Sequence, residues 1–311
     1  MAIITEGMKY RKKIVDYAIK HNNNAAAARR YHKNRQFVHY WRNKYDGTIE
    51  SLRKTSTRPH GHPNQHTTKE LKLIRHMHQH HGYRGLAHVY RKCMDEGYSR
   101  SYDSMCRQIR KMNVYKVKKK AKYTHMKKIE KPEITFPGEK VQVDVKYVPL
   151  HCIGFKTPHE RYYQITAIDL YSRKRVLQLV NENSTFTTGQ FALDLEENFG
   201  FKIECIQTDN GREFCNDPEV TQKKSLFETI LENRNINYQR TAPYSPWQNG
   251  YVERSHREDE EMFYQRRRFK SEAEMYRAFS RYATHTNNIC KKVLNFKSPN
   301  EVVIEYFKTV A

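Results

Sequence analysis

Residues 141–148, Val-Gln-Val-Asp-Val-Lys-Tyr-Val, alternate strictly between apolar and polar side chains up to Lys146. A period of two fits a half-buried strand and no helix, so other layers must cover Val141, Val143 and Val145. Gln142, Asp144 and Lys146 then share the opposite face. Aspartate is disfavoured inside strands. A mid-strand acid therefore implies a use, and metal coordination would supply one.

Further strands are predicted at 162–170 and 175–180, joined as an antiparallel pair by the turn Asp169-Leu170-Tyr171-Ser172-Arg173. A helix over 187–199 follows and ends near Gly200. The run Ile203-Glu204-Cys205-Ile206-Gln207-Thr208 reads as a buried strand broken by the turn signal Asp209-Asn210-Gly211, which places Asp209 at the strand's end. Helical material is expected over 218–233, a strand over 236–240, and a last helix over 271–288. In Ser245-Pro246-Trp247-Gln248, Ser245 suits an N-cap, Pro246 the first helical position, and Gln248 a capping box. Glu253 then sits on a helix about two turns from its start. Five strands interleaved with helices make a mixed α/β layer domain. Its carboxylates Asp144, Asp209 and Glu253 offer hard oxygen ligands suited to Mg²⁺ or Mn²⁺. The competing reading of Asp209 and Glu253 is a turn aspartate and a solvated helix glutamate.

Charge divides the chain. The net charge of +23 lies wholly in residues 1–132, with 32 basic against 9 acidic residues, while residues 133–311 hold 25 of each. A basic half beside a neutral half suggests a nucleic-acid-binding arm joined to something else. Residues 9–45 read as three helices, the second running from Ala25 to Tyr31 with Asn24 as its cap. The third, Arg35 to Tyr45, puts Phe37, Val38, Trp41 and Tyr45 on one face. Gln36, His39, Tyr40 and Asn43 fall on the other, near Arg35 and Arg42. This is a helix-turn-helix pattern, whose third helix would read base edges in the major groove. A plain three-helix bundle is the blander alternative. Residues 67–115 repeat the trio, as a second helix-turn-helix unit or as a spacer. Between them, 51–66 read as a linker. Residues 116–132 form a basic link, in which Lys118, Lys119 and Lys120 are expected to touch phosphates.

The six cysteines form no C-x-x-C pair, so neither a disulfide framework nor a cysteine-rich zinc site is expected. His76, His78, His80 and His81 read as surface histidines of a helix. Met1 to Tyr10 lacks a signal-peptide core and no apolar run spans a bilayer, so the expectation is a cytoplasmic, membrane-free protein, nucleoid-associated if bacterial.

Val143-Asp144-Val145, Gln207-Thr208-Asp209-Asn210-Gly211-Arg212-Glu213-Phe214 and Ser245-Pro246-Trp247-Gln248-Asn249-Gly250-Tyr251-Val252-Glu253-Arg254 resemble the DDE motifs of insertion-sequence transposases, relatives of retroviral integrases. The resemblance covers about residues 133–300, with 301–311 left as a tail and 1–50 similar to the usual helix-turn-helix arm. It implies an α/β RNase H-like core with a mixed five-stranded sheet behind an all-α DNA-binding region. It also implies Asp144, Asp209 and Glu253 as catalytic and metal-holding acids, and two divalent ions, Mg²⁺ or Mn²⁺. The implied activity is strand cleavage and strand transfer on double-stranded DNA, at inverted repeats and target, by a homo-oligomer. Between Asp209 and Glu253 lie 43 residues, where the family's gap is shorter by roughly eight; a longer helical insert within 216–234 would account for it. Arg257 is expected near the scissile phosphate, with His256 the alternative. Glu260 reads as polar helix surface, and Trp247 and Tyr244 as packing residues, with base stacking as the alternative. Two other functions compete: a sequence-specific DNA-binding regulator with a non-catalytic integrase-like domain, and a nuclease on RNA–DNA hybrids.

Overall fold

A computed structural model describes residues 4–57, 64–112, 133–216, 221, 223–242 and 245–310. The chain forms two compact units, Met1–Gln65 and His66–Ala311.

The first unit holds α1 (Glu6–Lys20), α2 (Asn24–Arg30) and α3 (Arg35–Lys44). Asn23, one residue before the predicted cap, accepts the Ala26 N–H, and Asn34 accepts that of Phe37. Ile14, Ala18, Ala27, Ala28 and Val38 form the core. Leu52 is fully buried against Val15 and Trp41. The segment read as a linker therefore begins inside the first unit's core.

In the second unit α4 (Thr68–His81), α5 (Leu86–Asp95) and α6 (Tyr102–Lys111) pack around Ile74, Val89, Cys93, Met105 and Ile109. Thr67 and Glu70 close a full capping box on α4. At the other end of the linker, His66 is buried and its Nε2 lies 2.7 Å from the Tyr98 hydroxyl. All six cysteines are buried and unpaired. His76 and His80 lie on the α4 surface.

The sheet comprises β1 (Val141–Tyr147), β2 (Tyr163–Asp169), β3 (Arg175–Val180), β4 (Cys205–Thr208) and β5 (Asn237–Arg240), in the order β3-β2-β1-β4-β5. β1–β2 and β2–β3 are antiparallel; β1–β4 and β4–β5 are parallel. The connection from β3 to β4 carries α7 (Thr185–Leu193) and α8 (Leu195–Phe199), and that from β4 to β5 carries α9 (Leu226–Asn233). The helix expected over 187–199 is thus two pieces, ended by Gly200 at φ 75. Val141, Val143, Ile165, Ala167 and Ile206 bury one sheet face against Phe191, Leu195, Phe199, Phe227 and Leu231. Helix α9, inside the segment where the longer gap is expected, supplies Phe227 and Leu231 to this core.

After β5 come α10 (Gly250–Met262), α11 (Glu272–Thr286) and α12 (Pro299–Val310). Segment 301–311, read as a tail, is mostly helix. Val303 packs on the main core and Phe307 lies 6.4 Å from Phe201 between ring centroids. The α4–α6 trio meets the sheet-bearing part through Arg91–Glu301 at 3.3 Å and through Phe296, whose ring sits 4.7 Å from Tyr90. A mixed sheet in this order, with helices on both faces, is the RNase H-like fold. No helix among the described residues is long and apolar enough to cross a membrane.

Gly138 fixes the entry to β1. It has φ +88, its carbonyl accepts the Glu204 N–H at 2.8 Å, and an added Cβ would lie 2.0 Å from the Lys202 carbonyl oxygen. Gly138→Ala combines an unfavourable φ with a backbone clash and should cost about 2–4 kcal/mol. Urea denaturation checks this; a change under about 0.5 kcal/mol would show that the backbone there relaxes freely.

Candidate active site

Alternation on β1 decides which side chains reach the site. With the valines committed to the apolar core, Gln142, Asp144 and Lys146 face α10. Parallel pairing aligns Val141 with Ile206 and Gln142 with Gln207. Continuing that register sets Asp144 level with Asp209, one residue beyond β4. Asp209 Oδ1 accepts the Gly211 N–H at 3.0 Å and Asn210 donates to the Thr241 carbonyl at 3.0 Å, so the turn is braced on both sides.

Glu253 arrives from α10. Pro246–Asn249 form a 3-10 turn and α10 proper starts at Gly250, so Glu253 lies in its first turn. The predicted cap is absent: Ser245 makes no side-chain capping bond, and Gln248 Oε1 accepts the Ala242 N–H at 2.8 Å instead. The helix start is held from the sheet. Gln142 Nε2 and Gln207 Nε2 both donate to the Gln248 carbonyl, at 2.5 and 2.9 Å. Gln142 Oε1 accepts the N–H groups of Tyr251 and Val252, at 3.2 and 3.3 Å. A strand side chain thereby satisfies donors that every helix start leaves open. Gln142→Leu leaves those amides and the carbonyl wanting partners, and should cost about 1–3 kcal/mol. Faster amide exchange at Tyr251 and Val252 is the accompanying signature; unchanged exchange would show that the helix start is held by something else.

The acids act on one another. Burial, then Asp209, then Glu213 and Glu253, push the Asp144 carboxyl up to about 7, against a single opposing backbone bond from Val145. Glu213 is itself raised, first by burial and then by Asp209. Glu213 is a fourth carboxylate in the group that sequence reading passed over, although it stands inside the Asp-Asn-Gly-Arg-Glu motif. An added Cβ on Gly211 would lie 2.7 Å from the Glu213 carboxyl, so the glycine makes room for it. Among the described residues no three His, Cys, Asp or Glu side chains are drawn close enough to hold a metal ion.

His256 Nδ1 lies 3.5 Å from Asp144 Oδ2. Burial pushes His256 down to about 4, so the ring is neutral at pH 7 and the contact is no ion pair. Its Nε2 is buried with no hydrogen-bond partner among the described residues. Arg257 is exposed, four residues on from the exposed Glu253 and so on its face. Glu260 is no plain surface residue: it pairs with Lys146 at 3.3 Å, and that ammonium lies 4.8 Å over the Tyr264 ring. Trp247, read as a packing residue, is 48% exposed; Tyr244 lies outside the described residues.

A buried network anchors the far half of α10. Asp259 pairs with Arg175 of β3 at 2.9 Å and accepts from Tyr282 at 2.6 Å and Gln164 at 2.7 Å. Both charged side chains are almost wholly shut off from water. Burial pushes the Asp259 carboxyl up, but Arg175 and the two hydrogen bonds outweigh it and hold the acid below its usual range. Sequence reading missed both residues.

The other predicted contacts lie elsewhere. In the first unit Arg35, Gln36, His39, Tyr40 and Asn43 are exposed on α3. Arg42 is half-buried and donates to Asn24 and Asn22, at 2.9 and 2.8 Å. Lys118, Lys119 and Lys120, with all of 116–132, lie outside the described residues.

Residues 135–246 match the family model of the integrase core domain. Over 169 residues the chain is 28% identical to ORF3 of Spiroplasma virus SpV1-C74, named as a candidate integrase; the match covers 51% of this chain and 46% of that protein. The chain thus matches about half the length of this relative. Similar solved structures include the catalytic core domain of BIV integrase, at 20% identity and TM-score 0.39 over 55% of this chain and 97% of that one. The simian T-cell lymphotropic virus intasome, in complex with the PP2A regulatory subunit B56 gamma, is similar at 14% identity and TM-score 0.44, over 73% and 74%. The stretch that carries the mixed five-stranded sheet is thus the stretch that is similar to an integrase core domain.

Proposed function

We propose that the chain is a DNA transposase that binds element ends, cleaves them and transfers the freed strand to target DNA. The observation that carries this reading is the level placement of Asp144 and Asp209 on parallel neighbours, with the Glu253 helix tied to the same two strands by Gln142 and Gln207. Glu253 lies beyond the stretch that matches the family model, so its role rests on that tie and on its influence on Asp144.

Carboxylate is the donor chemistry that hard divalent cations take, and gathering three of these acids round one ion would require their side chains to turn inward from the positions described. Burial and the neighbouring acids raise the Asp144 carboxyl to about 7, so a bound cation would favour its ionised form and displace the proton it partly carries. Asp144, Asp209 and Glu253 would hold Mg²⁺ or Mn²⁺, with Glu213 beside them. When bound, such ions supply positive charge to the oxygens of an in-line phosphoryl transfer. The protein's own part is positioning: β1 and β4 set two acids, and the glutamine clamp sets the third. Neutral His256 stands against Asp144 without adding charge. The exposed polar face of α3 suits base edges in a major groove, and paired ends call for a homo-oligomer on DNA.

A strand-transfer assay with Mg²⁺ or Mn²⁺ on wild type and Asp144→Asn tests the reading. Loss of transfer in the variant supports it. Equal activity in both, or duplex binding with no metal-dependent cleavage on any end sequence, would favour a DNA-binding regulator.

A further inference from the structure

A cleft of about 520 Å³ opens in the second unit, at the end of α10 remote from Glu253. Arg84 enters it from the α4–α5 connection, Arg266 and Arg267 from the turn after α10, and Arg281 and His285 from α11, above an apolar floor that includes Phe263. A second hollow of about 350 Å³ shares Arg281 and His285 and adds Ser280, Thr284 and Asn288. Among the described residues no carboxylate lines either one. Among the described residues, Arg84, Arg266 and Arg267 touch groups other than carboxylates. Arg84 donates to the Tyr83 hydroxyl at 2.7 Å and lies 3.2 Å from His88; Arg266 donates to the Glu261 carbonyl at 2.9 Å; Arg267 sits 5.2 Å over the Phe263 ring. His285 Nε2 is buried without a hydrogen-bond partner among the described residues. Sequence reading drew nothing from the run Arg266-Arg267-Arg268, although the catalytic part of the chain carries no net charge overall.

Four guanidinium groups round one concave surface, with no acid among its described lining residues, create a strong positive potential focused by low-dielectric walls. Planar guanidinium forks match phosphate oxygens two at a time, and hydroxyl and amide side chains along the rim are common backbone contacts in protein–DNA interfaces. Met262 follows Glu253 by nine positions on α10, about 14 Å along the axis. We infer that this cleft, lined by Arg84, Arg266, Arg267 and Arg281, is a second DNA site, which grips the phosphodiester backbone of a duplex flanking the end held at the acids. The inference rests on the proposed reaction on DNA and adds a place where the duplex is held apart from the acids.

The experiment is the salt dependence of duplex binding by the full chain in EDTA, for wild type, Arg267→Gln/Arg281→Gln and Arg267→Lys/Arg281→Lys. Each phosphate that the protein no longer neutralises should lessen the log–log salt slope by about 0.9. The glutamine pair should therefore flatten the slope by roughly 1.8 and weaken binding by roughly sixtyfold near 0.1 M salt, a deficit that fades towards 1 M. The lysine pair should keep most of the slope, and all three proteins should melt alike. An unchanged slope in the glutamine pair overturns the inference. So does intact duplex binding together with lost affinity for polyglutamate, which would assign the cleft to an acidic protein partner. Strand transfer by wild type alongside an unchanged slope sinks the cleft alone; a flattened slope without any metal-dependent transfer sinks the transposase reading and leaves the cleft standing.

Discussion

Asp259→Ala is expected to lose about 3–5 kcal/mol of stability, enough to leave much of the second unit unfolded at 37 °C. The substitution strands the Arg175 guanidinium with neither water nor counter-charge, since both side chains are buried. It also takes the acceptor from Tyr282 and Gln164, and Gln164 in turn accepts from Tyr264 at 2.8 Å. The damage therefore spreads from α10 to α11 and β2. Arg175→Met with Asp259→Leu, which removes both charges, should recover a large part of the loss, because the cost lies in the orphaned charge more than in the missing attraction. The sign with pH follows from the depressed Asp259 carboxyl. Its contribution is present above the ordinary carboxylate range and is lost as pH falls through the folded value. Urea titrations at pH 7 and at about pH 2 check both statements. A loss below about 1 kcal/mol for Asp259→Ala would mean that water or a backbone group replaces the carboxylate.

Asp144→Asn is expected to do two opposed things: abolish strand transfer and stabilise the fold. Burial and the neighbouring acids raise the wild-type carboxyl from 3.8 to about 7. A raised carboxyl destabilises once it must ionise. The penalty is absent below the unfolded value, grows as pH rises between the two values, and is complete above about 7. A shift of that size corresponds to about 4 kcal/mol at most. In EDTA, wild type should lose thermal stability as pH rises from 5 to 8, whereas the asparagine variant, with nothing to ionise at 144, should show a flatter profile and melt higher at pH 8. Adding Mg²⁺ at pH 8 should raise the wild-type melting temperature more than that of the variant. Identical pH profiles would show that Asp144 titrates as in an open chain, and the site would lose its physical argument. Such stability gains on removing an acid are expected where a site is built for charge rather than for stability.

The sheet was legible because its pattern is local. Val141, Val143 and Val145 alternate with polar residues, and the turn Asp169–Arg173 announces an antiparallel return. The level placement of Asp144 and Asp209 was half legible: each stood at a strand, but only the pairing shows them side by side. What stayed hidden is what distant segments do to one another. Gln142 looks like any strand glutamine until Gln248, Tyr251 and Val252 arrive from more than a hundred residues away. Asp259 sits among Arg257, Glu258, Glu260 and Glu261, a run that reads as a solvated face, and nothing local marks one of these as buried. The expected capping box failed for a related reason. Ser245 and Gln248 have the right spacing, but the helix start draws its acceptor from β1, and Gln248 turns to Ala242.

The shared Gln248 carbonyl has a consequence for folding. Side chains on a strand change faces with every residue. Were β4 to slide by one position along β1, Gln207 would swing into the apolar layer and Asp209 would leave the level of Asp144. The carbonyl would then keep only one of its two amide donors. Correct docking of α10 thus proofreads the alignment of the central strands, and a misaligned sheet would betray itself by a loosened helix before any chemistry was attempted.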